Sequence, residues 1–123
     1  MIKIRLKLTG QDMQVLAQCV LEAGRKMHIS GLDSLLAATT LEGLFMRMYR
    51  MYAPNRDKFT LRLSLVEATV LTKFVLPQMM DEVGTLPFYV ANPILEAIDR
   101  RIDNEVNIYN SMKSNNYVHN DEQ

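Results

Sequence analysis

One pattern occurs twice in this chain, and internal repetition constrains architecture more than any other sequence feature. The first copy reads Ile4-Arg5-Leu6-Lys7-Leu8, a gap, then Val15-Leu16-Ala17-Gln18-Cys19-Val20-Leu21. The second, about 55 residues on, reads Leu61-Arg62-Leu63-Ser64-Leu65, a gap, then Val70-Leu71-Thr72-Lys73-Phe74-Val75-Leu76. Each copy is a strand of period two followed by a helix whose Val-Leu pairs recur on one face.

The strand assignment follows from strict alternation. Ile2, Ile4, Leu6 and Leu8 point one way, while Lys3, Arg5 and Lys7 point the other. In the second copy Phe59, Leu61, Leu63 and Leu65 are expected inside, and Lys58, Thr60, Arg62 and Ser64 outside. Thr9 or Asp12 is placed to cap the first helix, whose inner face carries Met13, Leu16, Ala17, Val20, Leu21, Gly24 and Met27. Ser30-Gly31-Leu32-Asp33 resembles a capping box with Asp in the acidic position. It opens a second helix that runs to about Tyr52. Apolar residues cover more than one narrow stripe of that helix, which predicts a central position.

In the second copy a helix from about Val66 meets Pro77, where it must kink or restart. Gly84 and Pro87 predict a loop, and Asn92-Pro93 a cap with proline in the first turn. The last helix aligns Ile94, Leu95, Ile98, Ile102, Val106, Tyr109 and Met112, with Glu96/Arg100 and Arg101/Glu105 spaced for ion pairs. The expected organisation is a single α+β domain over residues 1–112, made of two fused β-α-α repeats (1–53 and 58–112). Residues 113–123 are expected as a disordered polar tail. Two strands with fully apolar faces must rest on helices, so a two-stranded antiparallel ribbon packed on four helices is the economical arrangement.

Composition limits the functions available. Fourteen basic and fourteen acidic residues cancel, so the chain has no global pull toward nucleic acid or anionic lipid. The charges are unevenly distributed: residues 1–58 hold nine Lys/Arg against five Asp/Glu, and residues 59–123 the reverse. Cys19 is the only cysteine, which rules out an intrachain disulfide and suits a reducing, cytoplasmic setting. Its place on the inner helix face predicts a small buried hydrophobe. The N-terminus lacks the apolar run of a signal peptide, and no window is long and apolar enough to span a bilayer. His28 and His119 are the only histidines, and no metal-ligand spacing surrounds either. No Gly-rich phosphate loop is present. No enzyme activity and no cofactor are expected.

The outer strand face collects Lys3, Arg5, Lys7, Lys58, Thr60, Arg62 and Ser64, five cations and no acid. With Ile4-Arg5-Leu6, the Leu16/Val20 helix and Ser30-Gly31 at the second helix, the segment 2–52 resembles the ribbon-helix-helix family. The segment 58–112 would be a fused second protomer, making the chain a tandem pseudo-dimer. It departs from the family pattern in Pro77 and the extended 78–92 connection. The resemblance implies that the antiparallel ribbon enters the major groove of double-stranded DNA and reads base edges with those seven residues. It also implies that Ser30 and Gly31 approach a phosphate. The expectation is therefore a small DNA-binding regulator. The alternative is a protein-interaction or assembly module, acting on another protein or a second copy through the exposed part of the Met/Tyr-rich second helix or through the +4/−4 split of charge between the two parts of the chain.

Overall fold

Alternation at the N-terminus produces β1 (Lys3–Thr9), and its counterpart produces β2 (Lys58–Ser64). The computed structural model describes the backbone of residues 3–121 and the side chains of residues 3–114. Ile2 therefore lies outside the described residues, and so does the side chain of His119. The strands pair antiparallel as a two-stranded sheet, with Arg5 directly opposite Arg62, Leu6 opposite Leu61 and Leu8 opposite Phe59. Ile4, Leu8, Phe59, Leu61 and Leu63 are buried on one face, and Leu6 is half-buried.

Each strand ends where a hydroxyl caps the following helix. Thr9 Oγ1 accepts from the Asp12 amide at 3.1 Å, and Asp12 returns the contact by accepting from the Thr9 amide at 3.0 Å. This box starts α1 (Gly10–Lys26). Ser64 and Glu67 form the same box at 3.1 and 2.8 Å and start α3 (Leu65–Val70). Such caps contribute about 1 kcal/mol each. The second cap corrects one sequence expectation. Leu65 is not the last inward residue of a strand; it opens α3 and is 42% exposed.

Helix α2 (Leu32–Met51) is capped by Ser34 rather than Asp33. The Ser34 hydroxyl accepts from the amides of Ser30 at 2.9 Å and Gly31 at 3.2 Å. Ala37, Leu41, Leu44 and Met48 are buried, but Leu32, Leu35 and Leu36 are exposed, so α2 is a peripheral helix and not a central one.

The chain from Leu65 to Glu82 is one helical rod with an irregular middle. A π-helical turn (Leu71–Val75) precedes α4 (Leu76–Met79), and a 3-10 turn (Met80–Glu82) ends the rod. Pro77 explains the irregularity. It has no amide proton and its ring crowds the preceding turn. Widening that turn, with the Leu76 amide reaching back to the Leu71 carbonyl, relieves the crowding without breaking the rod. Gly84, at φ +92°, supplies the left-handed residue needed to reverse direction.

Helix α5 (Leu86–Asp121) begins earlier than the sequence implies. Thr85 closes its first turn, with its hydroxyl accepting from the Phe88 amide at 3.4 Å and its carbonyl accepting from Tyr89 at 3.2 Å. Pro87 is thus the N-terminal proline, and the expected 78–92 loop and Asn92-Pro93 cap are corrected. Pro93 lies inside the helix, and Asn92 Nδ2 donates to Glu96 Oε1 at 3.1 Å. Glu96/Arg100 and Arg101/Glu105 do not close as ion pairs among the described residues. Leu95 and Ile98 are buried and Ile102 is half-buried, while Val106, Tyr109 and Met112 are exposed. The stretch read as a tail falls largely at the end of α5, and its side chains from residue 115 lie outside the described residues.

The result is an α+β fold with a two-stranded antiparallel sheet resting on four helical rods. Leu16, Val20, Leu71, Val75, Leu95 and Ile98 form the helical side of the core under the ribbon. Burying each such side chain contributes roughly 1.5–3 kcal/mol. No described helix is long and apolar enough to cross a membrane.

Candidate nucleic-acid interface

Strand pairing fixes which side chains meet on the outer face. Lys3 stands across from Ser64, Lys7 from Thr60, and Lys58 from Thr9, so three cations face hydroxyls. At the centre Arg5 stands across from Arg62. Lys3, Arg5, Lys7, Lys58, Thr60 and Arg62 are exposed and Ser64 is half-buried. All seven residues singled out from the sequence are therefore on one ribbon face. Among the described residues none of its five cations has a carboxylate within 4 Å.

Asp57, next to Lys58, is exposed and pairs with no cation among the described residues, whereas two other nearby acids are engaged. Asp12 is bound to the Thr9 amide, and Glu67 is held by the Ser64 amide and by Arg47. Arg47 Nη1 reaches Glu67 Oε2 at 2.9 Å, and its Nη2 donates to the Arg62 carbonyl at 2.7 Å. One guanidinium thus pins α2 to the end of β2 while neutralising the carboxylate there. Sequence reasoning missed Arg47, because a contact twenty residues apart leaves no local signal. It also missed Arg56, whose guanidinium lies 5.3 Å from the Phe59 ring centroid and whose Nε donates to the Lys58 carbonyl at 3.1 Å. Its position two residues before β2 could have marked it as a further cation beside the ribbon.

Ser30 and Gly31 are exposed, but their amides already donate to Ser34. A phosphate at this helix end would meet the next amides of the first turn, against the charge of Asp33. Gly31 also stands sixteen residues from Arg47, about 24 Å along the helix axis. Ser30 and Gly31 are therefore well removed from the point where α2 touches β2.

Comparison with protein-family models, curated proteins and solved structures finds no match to this chain.

Away from the ribbon, a half-open cleft of about 640 Å³ lies between α1 and the α4 end of the rod. Val15, Cys19, Met79 and Pro87 line it together with Glu22 and Glu82. Lys26 Nζ lies 3.9 Å from Glu82. Cys19 is buried, as the sequence implied, and its thiol is pushed up to about 11, first by burial and second by the Glu82 charge. At pH 8 it should react with iodoacetamide roughly a hundredfold or more slowly than a free thiol of pKa near 8.5. Alkylation at the free-thiol rate would contradict this. Because folding raises this pKa, the folded state holds the proton longer, and stability is lost as pH rises from the unfolded value toward 11. Among the described residues no three His, Cys, Asp or Glu side chains converge.

Proposed function

We propose that the chain is a small non-enzymatic DNA-binding regulator, a tandem ribbon-helix-helix pseudo-dimer that lays its β1–β2 face into the major groove. The observation that carries this reading is the Arg5–Arg62 cross-strand pair. Like charges directly opposite destabilise a sheet. Here they stand exposed at the ribbon centre, without an acid to offset them. An incoming polyanion converts that repulsion into attraction. A two-stranded ribbon fits the major groove, where Arg and Lys can bond guanine and Ser or Thr can accept or donate to several bases.

The tandem reading has support in matching positions. Counting from caps Thr9 and Ser64, Met13 and Ala68, Leu16 and Leu71, and Val20 and Val75 are equivalent, and all six are buried. A two-fold relation also requires some residue to pair with its own counterpart. Leu6 and Leu61, each three residues before its cap, do so.

The test is titration of a fluorescent mixed-sequence duplex, followed by anisotropy from 50 to 200 mM salt. Neutralising about five phosphates predicts roughly a 500-fold loss of affinity over that range. Absence of binding at the low-salt end, or binding indifferent to salt, would sink the proposal. The alternative, an assembly module without nucleic-acid affinity, is favoured by a different surface: the exposed apolar side chains of α2.

A further inference from the structure

The outer face of α2 is made of residues that a solvent-facing helix normally lacks. No charged residue occurs from Ser34 to Leu41. Leu32, Leu36, Thr39, Gly43 and Met46 recur three or four apart and so share one side of the helix. That side lies opposite the buried Ala37, Leu41, Leu44 and Met48. Leu32 is 69% exposed, Leu36 55% and Tyr49 70%. A helix apolar on both sides is ordinarily buried on both sides.

We propose that this face packs antiparallel against the same face of a second copy, forming a two-fold dimer independent of the DNA-binding ribbon. Three features select a second copy. The stripe is self-complementary about its midpoint, since antiparallel packing sets Thr39 against Gly43, and Leu36 against Met46. Small residues then fall at the crossing point, where the backbones approach closest, and large ones toward the ends. The stripe from Leu32 to Arg50 is about 27 Å long. Its large exposed side chains, with Leu35 added, give an area toward the low end of protein interfaces, below about 600 Å² per partner, which suits a weak dimer. The charges also complement. Asp33 and Arg50 are exposed, have no partner among the described residues, and lie toward opposite ends of α2. Two-fold packing brings Asp33 of each copy to Arg50 of the other.

The geometry carries one internal cost. Glu42 is exposed at the margin of the stripe, near its midpoint, so the two-fold axis sets it close to its own counterpart. The symmetric dimer is thus expected to tighten when that charge is removed, an effect that a heterologous contact elsewhere would not show.

The test is sedimentation velocity on the full chain without DNA, from about 1 to 100 µM, a range that spans ordinary weak-dimer affinities. The mass is expected to rise from 14.1 kDa to twice that value. Leu36→Lys should hold the chain at the monomer mass. Gly43→Leu should weaken the dimer at least tenfold, although a Cβ at Gly43 meets nothing within 4 Å and leucine favours the helix. Circular dichroism on both variants separates a lost interface from a lost fold. Glu42→Gln should tighten the dimer severalfold. A wild-type chain that remains monomeric at about 100 µM overturns the proposal. So does a dimer that Leu36→Lys and Gly43→Leu leave unchanged, or one that Glu42→Gln weakens. These outcomes are independent of duplex binding, so either surface can fail alone.

Discussion

An Arg5→Ala/Arg62→Ala double variant is expected to lose roughly a hundredfold in duplex affinity, with its unfolding midpoint nearly unchanged. Each guanidinium aimed at a base edge or phosphate contributes about 1–3 kcal/mol to a complex. Neither contributes attraction to the folded chain, since both are exposed and stand opposite one another. Removing the pair relieves a cross-strand repulsion worth about 0.2–1 kcal/mol, so thermal stability should hold or rise slightly. The salt dependence separates two modes of contact. If both residues neutralise phosphates, the slope of log affinity against log salt should shrink by about 1.8. If both read bases, affinity falls while the slope changes little. Affinity within twofold of the parent would remove the ribbon from the binding surface. Retained affinity together with a lowered melting temperature would make the pair structural instead.

The second large effect is on the fold. Phe59→Ala should cost about 3–5 kcal/mol, a large share of the roughly 5–15 kcal/mol that holds a domain folded. Phe59 is 2% exposed and sits across from Leu8. Its ring stacks on Tyr52 at 5.8 Å, and Arg56 lies over it. One side chain therefore joins the ribbon, the end of α2 and the connection between them. Melting followed by circular dichroism should show a fall of roughly 10–20 °C. Leu65→Ala, at an exposed position of the same copy, should stay within about 0.5 kcal/mol of the parent. Similar losses at both positions would mean that Phe59 does not anchor the ribbon.

The ribbon was legible because alternation over seven residues leaves one apolar face and one polar face. The start of α1 was legible for a similar reason, with Thr9 and Asp12 as alternative caps before a helical periodicity; the structure joins the two in one reciprocal box. Reading failed where a local signal competes with a tertiary one. Asn92-Pro93 has the form of a helix start, yet Thr85 and Pro87 had already started α5, and the helix passes through Pro93. Pro77 signalled trouble correctly but not its form, since a widened turn and a break have the same sequence cause. The apolar richness of α2 implied burial on all sides. Within one chain Ala37, Leu41, Leu44 and Met48 are buried and Phe45 and Met51 half-buried, while Leu32, Leu35 and Leu36 are left exposed. Of the site, all the strand residues were legible, whereas Arg47 depended on where α2 ends in space.

Both strands of the sheet belong to one polypeptide, and this changes how the surface comes into being. A ribbon assembled from two molecules disappears on dilution, whereas this one forms at any concentration because its halves are covalently tethered. The tether also releases the halves from being identical. Counting from the caps Thr9 and Ser64, strand one can hold Arg5 where strand two holds Thr60. Such a surface has a polarity that no pair of identical strands can have, and any duplex it prefers should be read in one direction only.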